Sequence, residues 1–347
     1  MRIAIHDRSG SFSDGWIAYC QAHGIPFRRV DCLSSEILGD LADCDALLWH
    51  WRHSDQAAQL FARQLALALA KTGIRMFPNA ATAWHYDDKV GQKYLFEAIG
   101  APLVPTQVFY HQAAALSWLE TAAFPLVFKL RCGAGAANVR LVRNRAAATR
   151  LVHQAFGRGF PIRDDWALMR DDWRGLRCKW SRKQLSRLFK HFIHGLGQHV
   201  FLGGQRERGY VYFQKFLPGN EADYRVVVIG KRAFGMRRLV REGDFRASGS
   251  GLKTADPGAV PPECVKLAFR CNAALGCQSV AFDFLKDATG NFLVSEISYA
   301  FTSVRGLFPG YWDDALVWHP GDFDLTHFMI EDLIAETEPR MNANRRE

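Results

Sequence analysis

Two short apolar runs near the C-terminal end each carry an acid where a hydrophobic residue would be expected: Val280-Ala-Phe-Asp283-Phe-Leu285 and, after the turn Lys286 to Asn291, Leu293-Val-Ser-Glu296-Ile-Ser298. Side chains alternate along a strand, so a hairpin that sets Val294 or Glu296 opposite Asp283 brings Asp283, Glu296 and Ser298 to one face. Two carboxylates converging in an apolar setting cost a few kcal/mol or raise a pKa, and a hard divalent cation with oxygen ligands removes that cost. The alternative is that one acid is exposed to solvent or paired with a nearby arginine.

The chain has 347 residues, 48% of them hydrophobic, enough for two or three domains with a core. No apolar stretch approaches the roughly 18 residues of a membrane-spanning helix. The first ten residues, MRIAIHDRSG, alternate like a strand and have no apolar h-region or small-residue cleavage site, so a cytoplasmic protein is expected. Eight cysteines include no C-x-x-C pair, which argues against disulfides and a structural zinc. The net charge is +9, and residues 157 to 209 hold twelve basic against five acidic residues. Such a local basic segment suits one anionic contact surface and argues against a nucleic-acid footprint over the whole molecule.

The pattern is α/β, with α+β character in part. Residues 1 to 80 alternate strand and helix: extended runs at Arg2 to His6, Ile25 to Asp31 and Ala46 to Trp49, helical spacing at Ser13 to His23 and Gln56 to Lys71. No Gly-x-Gly-x-x-Gly follows the first strand, so a dinucleotide fingerprint is missing. Residues 81 to 156 read as a loop and helix ending at Gly100, extended segments at Leu103 to Tyr110, Pro125 to Leu130 and Val139 to Val142, and helices near Gln112 to Glu120 and over 145 to 156. In the basic insertion, 157 to 209, Leu185, Leu188, Phe189, Phe192 and Ile193 make an amphipathic stripe. Residues 210 to 336 carry strands at Val211 to Phe216, Arg225 to Ile229, Ala233 to Leu239, Ser279 to Leu285 and Phe292 to Ile297, with helices at Pro262 to Leu275 and Leu325 to about Glu336; 337 to 347 form a tail.

Phe124-Pro-Leu-Val-Phe-Lys129-Leu-Arg-Cys-Gly133-Ala-Gly135 ends an apolar strand on a lysine and continues into small residues. A lysine there can aim a charge into a site, and the small residues let backbone N–H groups approach phosphate oxygens; the alternative is a lysine that snorkels at a strand edge. The Gly-Lys-Ser/Thr of a Walker A loop is absent. Further charges flank strands in Gln214-Lys-Phe-Leu-Pro-Gly219, Asp223-Tyr-Arg225-Val-Val-Val-Ile-Gly230 and Arg238 to Ser248, where surface ion pairs are the competing explanation.

Taken in order, Asp88-Lys89 before a helix ending in Gly100-Ala-Pro102, PLVFK with its glycine loop, QKFLPG, DYRVVVIG, REGDFRAS and FDFLKDATGNFLVSEIS resemble the ATP-grasp superfamily, most closely the group of ribosomal-protein glutamate ligases and glutathione synthetases. The likeness runs from about residue 85 to 304 and implies an ATP-grasp fold: a small N-terminal α/β domain followed by two α+β subdomains that clasp ATP. It implies that Lys89 and Lys129 reach the ATP phosphates and that Cys132 to Asn138, with Gly133 and Gly135, form the lid over them. Gln214, Lys215, Phe216 and Leu217 match the hinge that reads adenine, and Asp223 the acid near the ribose. Arg238 and Arg246 match arginines facing phosphate and the reacting carboxylate; Asp283 and Glu296 match the magnesium ligands, manganese being a possible substitute. Ser298 stands where the family usually has asparagine at the third metal position, and Ser248 likewise replaces an asparagine. Arg305 lies where the substrate side has diverged and is the candidate for gripping an anionic group, against a surface ion pair.

The resemblance implies an ATP-dependent carboxylate–amine ligase, or one using another nucleophile, acting through an acyl phosphate on small-molecule or peptide substrates. The competing readings are an ATP-binding protein of the same fold without ligation, motivated by Ser298 and Ser248, and a phosphotransferase; a nucleic-acid binder ranks last. The basic insertion could receive an anionic acceptor, cover the site, lie on an anionic membrane surface or pack its apolar stripe on the core. Oligomeric state is not legible in the sequence.

Overall fold

The first sheet shows most plainly how local pattern becomes architecture. The computed structural model describes residues 1–53, 55–133, 138–161, 206–241, 243–301 and 305–335. Strands β1 (Ile3–His6), β2 (Phe27–Val30), β3 (Ala46–Leu48) and β4 (Arg75–Phe77) pair in parallel in the order β2-β1-β3-β4. Helices α1 (Phe12–Ala22) and α3 (Gln56–Leu69), with the short α2 (Ile37–Asp40), connect them. Parallel strands buried on both faces need apolar residues on both, and Ile3, Ala4, Ile5, Ala46, Leu47 and Leu48 are all buried. Each long helix starts on a side chain that accepts an otherwise unpaired amide: Ser11 from the Ser13 N–H, Asp55 from the Ala58 N–H. The expected run from Ile25 to Asp31 is a strand only over β2, and α2 has no counterpart in the sequence reading.

After the short α4 (Ala80–Ala83), helix α5 (Lys89–Ala98) begins where Asp88 accepts from the Gly91 N–H. A four-stranded sheet follows: β5 (Thr106–Phe109), β6 (Leu126–Lys129), β7 (Arg140–Val142) and β10 (Val211–Lys215), in the order β5-β10-β6-β7. Helices α6 (Gln112–Leu119) and α7 (Arg145–Phe156) bury Ala115, Leu119, Ala148 and Val152 in the same core as Phe128 and Phe213. The ribbon β8 (Phe160–Pro161) with β9 (Arg206–Glu207) closes its end. The expected extended segment Leu103 to Tyr110 forms a ladder only over β5. Residues 102–104 pair instead with Val294, whose N–H donates to the Pro102 carbonyl (2.7 Å) and whose carbonyl accepts from the Val104 N–H (2.9 Å).

The third sheet has seven strands: β11 (Ala222–Ile229), β12 (Arg232–Leu239), β13 (Lys253–Thr254), β14 (Ser279–Lys286), β15 (Phe292–Ser298), β16 (Gly310–Asp313) and β17 (Trp318–Pro320). The path is β15-β14-β11-β12-β16-β17, with β13 against β12. One face carries Val226, Val228, Phe282 and Phe284 and is covered by α8 (Pro262–Leu275). On the other, Val227, Ile229, Phe234 and Ala281 share a core with Ile3, Ile5, Trp16 and helix α9 (Leu325–Ala335). The hairpin β16–β17 went unrecognised in the sequence because its strands are short and bounded by Pro309 and Pro320; Trp312 against Trp318, 4.6 Å between ring centroids, holds it.

The unit from 106 to 216 is joined to the rest through two neighbouring crossings. The Lys215 N–H donates to the Pro105 carbonyl (2.8 Å), so the two crossings are bonded to each other. Asn220 fixes the outgoing one: its amide donates to the Lys286 carbonyl (2.8 Å) and accepts from the Lys286 N–H (2.9 Å). Gly135, the stretch 134–137 of the expected lid, the helix expected around Leu185 to Ile193, and the tail lie outside the described residues.

Candidate active site

Register decides which charges meet. Asp283 of β14 lies opposite Glu296 of β15 and opposite Arg225 of β11, and Asp223 lies opposite Arg238 of β12. With period two, Asp223, Arg225, Arg238, Asp283, Glu296 and Ser298 all stand on the face away from α8. The ladder between β14 and β15 slips after Asp283, where Phe284 pairs with Val294, so Ser295 is an extra residue in β15. That bulge turns Ser295 toward the same cavity as its neighbour Glu296.

Asp283 is gripped by two guanidiniums: Arg225 donates through Nε (2.7 Å) and Nη2 (2.8 Å), and Arg238 Nη2 lies 2.9 Å away. Arg238 also makes two 2.6 Å bonds to Asp223. Burial would raise the Asp283 pKa, but Arg225 and Arg238 outweigh it and hold the carboxyl well below its ordinary range. Asp283 therefore joins both sequence readings: it converges with Glu296, and it is paired with arginine.

Lys89, the first residue of α5, and Lys129, the last of β6, are 5% and 7% exposed. Their partners differ. Lys89 Nζ lies 3.0 Å from Glu296 Oε1 and donates to the Gly133 carbonyl (2.7 Å). Burial disfavours its charge, yet Glu296 and Asp87 hold its pKa above the usual lysine value. Lys129 Nζ reaches the Ser295 hydroxyl at 3.4 Å, and no carboxylate among the described residues pairs with it. Burial, reinforced by the neighbouring Lys89, pushes its ammonium down to about 8 against the pull of Glu296 and Asp283.

A cavity of about 270 Å³ lies between the four-stranded and seven-stranded sheets. Lys89, Lys129, Gly133, Gln214, Lys215, Phe216, Leu217, Asp223, Arg246, Asp283, Glu296 and Ser298 all line it. Gln214 is buried and donates to Thr106 Oγ1 (3.2 Å), while Phe216 meets Phe245 edge to face at 5.9 Å. Arg246 folds back onto Asp244, its Nη2 2.7 Å from Oδ2. The Ser298 hydroxyl donates to the Ala300 carbonyl (2.8 Å), and as an acceptor it keeps its lone pairs. Arg238 is not part of this cavity's wall; it pairs with the lining acids Asp223 and Asp283 and lines the adjoining chamber.

Arg305 stands apart. Its side chain is 77% exposed, lies 3.5 Å from Asp322, and is absent from the cavity wall, so the surface ion pair is what the fold gives it. Of the lining groups that escaped the sequence reading, Arg225, Ser295 and Asp87 bear most directly on the charged cluster. Arg225 could have been found, since it lies two residues from Asp223 and hence on its face. Ser295 depends on the bulge. Asp87 adopts a left-handed backbone (φ 52°), accepts from the Gly133 N–H (2.7 Å) and has its pKa raised to about 6 by burial, against Lys89.

No model of a known protein family matches the sequence, and no curated protein matches it either. Solved structures do. The chain is similar to an ATP-grasp RimK domain protein from Sphaerobacter thermophilus, with 20% identity over 86% of this chain and 90% of that one and a TM-score of 0.52. It is similar to the D-cycloserine synthetase DcsG, with 14% identity, 97% and 99% coverage and a TM-score of 0.59. It is also similar to the biotin carboxylase domain of 2-oxoglutarate carboxylase from Hydrogenobacter thermophilus in complex with magnesium ADP and bicarbonate, with 13% identity, 99% and 71% coverage and a TM-score of 0.57. The shared architecture is the ATP-grasp fold, which this chain has.

Proposed function

We propose that the protein is an ATP-dependent carboxylate ligase that works through an acyl phosphate and passes the acyl group to an amine or a related nucleophile. The observation that carries this is Lys129: a buried ammonium without a carboxylate partner among the described residues, facing Glu296 and Asp283 across the cavity of an ATP-grasp fold. Such a cation is poised for an anion that arrives with the substrate. The proteins of this fold named above include a synthetase and a carboxylase bound to magnesium ADP, which supports the same chemistry.

In the first step a substrate carboxylate oxygen attacks the terminal phosphorus of ATP, and the bond to the bridging oxygen breaks with its electron pair leaving on ADP. In the second, the nucleophile attacks the acyl carbon, phosphate departs, and the proton lost by the nucleophile goes to solvent. No covalent nucleophile of the protein is needed. Lys89 and Lys129 would hold phosphate oxygens, and Arg238 and Arg246 would stabilise charge on the transferring group. Gln214 to Leu217, with Phe216 against Phe245, would wall the base, and Asp223 would lie toward the ribose. Enclosure between two sheets limits the water that could hydrolyse the intermediate.

The donor set also fits magnesium. Asp283, Glu296 and Ser298 offer only hard oxygen atoms on one face, and a carboxylate oxygen that accepts from a guanidinium keeps further lone pairs. When bound, the ion would neutralise phosphoryl charge. The serine at the third position is a weaker donor than an amide carbonyl.

A second reading, nucleotide binding without turnover, is favoured by one observation: both Asp283 oxygens are already held by arginine. ADP release with carboxylates and hydroxylamine, which traps an acyl phosphate as a hydroxamate, separates the two. Hydroxamate formed by the native chain and abolished in the Asp283→Ala, Glu296→Ala double variant is expected. Nucleotide binding with no hydroxamate from any carboxylate would leave only the second reading.

A further inference from the structure

A second chamber, of about 280 Å³, opens beside the first and shares Arg225, Ala247 and Ser248 with it. Its floor is the same sheet face, along which Arg238, the facing pair Arg225 and Met236, and Val227 follow one another. Phe301, Leu307 and Leu252 add apolar wall, and the segment Ala247-Ser-Gly-Ser-Gly251 bounds it. Among the described residues that line it, none is acidic, and its charged groups are Arg225, Arg238 and Lys253. Each of the two arginines spends Nε and Nη2 on the acids beneath; neither Nη1 has a hydrogen bond among the described residues.

We propose that this chamber binds the substrate carboxylate, and that it selects a monocarboxylic acid with a compact apolar body and no amino group. The identification as the acyl subsite rests on the ligase reading; the selectivity rests on the chamber's own walls. A carboxylate at the shared end meets guanidinium nitrogens next to the nucleotide cavity. The remainder of the ligand then lies against Val227, Met236, Phe301 and Leu307, where carbon gains by leaving water. A free amino acid would bring its ammonium beside Arg225, Arg238 and Lys253, the charged groups among the described residues of the lining. A dicarboxylate would strand its second carboxylate, desolvated, against the same apolar wall. The volume lies near the lower end of the roughly 300–1,000 Å³ of small-molecule sites, which favours a ligand the size of a short alkanoate or a phenylalkanoate.

The test uses the full chain with 3-phenylpropionate, hexanoate, succinate and alanine, each measured in two ways: calorimetric binding in the presence of ADP and magnesium, and hydroxamate formation with ATP and hydroxylamine. We expect the two apolar acids to bind at least tenfold more tightly than succinate or alanine. Leu307→Lys, on the wall, should narrow that gap by tenfold or more, and Leu252→Lys, on the more exposed rim, by a few-fold; ADP affinity measured on the same samples reports an intact fold. Preference for succinate or alanine, or 3-phenylpropionate binding that neither variant alters, overturns the proposal. The two readings fail separately. Hydroxamate from dicarboxylates or amino acids alone leaves the ligase and removes this selectivity, whereas variant-sensitive binding of apolar acids with no hydroxamate leaves the chamber and removes the ligase.

Discussion

Along one face of β11, Asp223 and Arg225 are followed by Val227 and Ile229. Neighbouring strands repeat the division: Arg238 gives way to Phe234 on β12, and Asp283 to Ala281 on β14. The apolar half is sealed against the N-terminal unit and α9, with Ile229 and Phe234 wholly buried. The ionic half faces a cavity. Between β11 and its two neighbours the backbone pairing is regular through both halves, so the difference there lies in what the side chains need. Carbon is satisfied by contact from any direction, whereas each carboxylate in the ionic half must find donors at fixed geometry, and a chain of two acids and two guanidiniums supplies them. Stability is concentrated in the first half and chemistry in the second.

The largest expected effect belongs to the apolar half. Phe234→Ala should destabilise the fold by about 3–5 kcal/mol, with ADP affinity nearly unchanged once the protein is folded; denaturant midpoints and calorimetry on the same sample would check both, and a preserved midpoint would break the comparison. In the ionic half, Asp283→Asn should lower ligation by about 10²–10³-fold with a smaller shift in Tm than Phe234→Ala, read by hydroxamate formation beside a thermal melt.

Acid should act through buried histidines rather than through the ionic cluster. Burial drives the pKa of His50, stacked on Phe12 at 3.8 Å, down to about 3, and that of His85 down to about 4. Both lie below the unfolded value near 6.5, so the native state binds fewer protons between that value and 4, and stability falls as pH drops through 6.5. Asp87, raised to about 6 by burial, works the other way over its own window, from about 6 down to the usual carboxylate value. These two histidines against Asp87 leave a net loss of roughly 1.4 kcal/mol per pH unit between 6 and 5, to which His6 and His53, also lowered by burial, add in the same direction, visible in Tm against pH.

Lys129 provides a gentler probe of the ionic half. Its value near 8 lies below that of an unfolded lysine, so the empty site loses this charge as pH rises through 8. Phosphate would restore it. Nucleotide binding above pH 8 should take up a proton and weaken by at most about tenfold per pH unit; titration in two buffers of different ionisation heat measures this, and the uptake should vanish in Lys129→Gln. The smallest effect is Ser298→Asn, expected to tighten magnesium a few-fold in a metal titration of nucleotide binding.

How much of this was legible follows the range of the cause. The convergence of Asp283 with Glu296 was legible only in part: period two offers it, but in the register next to the turn Asp283 would face Ser295, and the bulge is what brings Glu296 opposite. The helix Pro262–Leu275 was readable at both ends, from proline at its start and Gly276, in a left-handed conformation, after it. That Arg225 shares a face with Asp223 was readable, but its pairing with Asp283 was not, because β11 and β14 are separated by some fifty residues and their register is set by packing. The Ser295 bulge leaves no mark in Val-Ser-Glu-Ile. Arg305 was singled out because its sequence neighbourhood had diverged, which says nothing about where a side chain goes; Asp322 holds it at the surface.

The paired crossings at Pro105 and Lys215 have a mechanical consequence. The two straps lie side by side and are bonded to each other, so the small sheet meets the large one along one line. Their anchorages, at Val294 and Lys286, belong to the strands that carry Glu296 and Asp283. The small sheet that bears Lys129 is thus fastened at the very strands that bear the two acids, so the placing of the lysine and of the carboxylates shares one support.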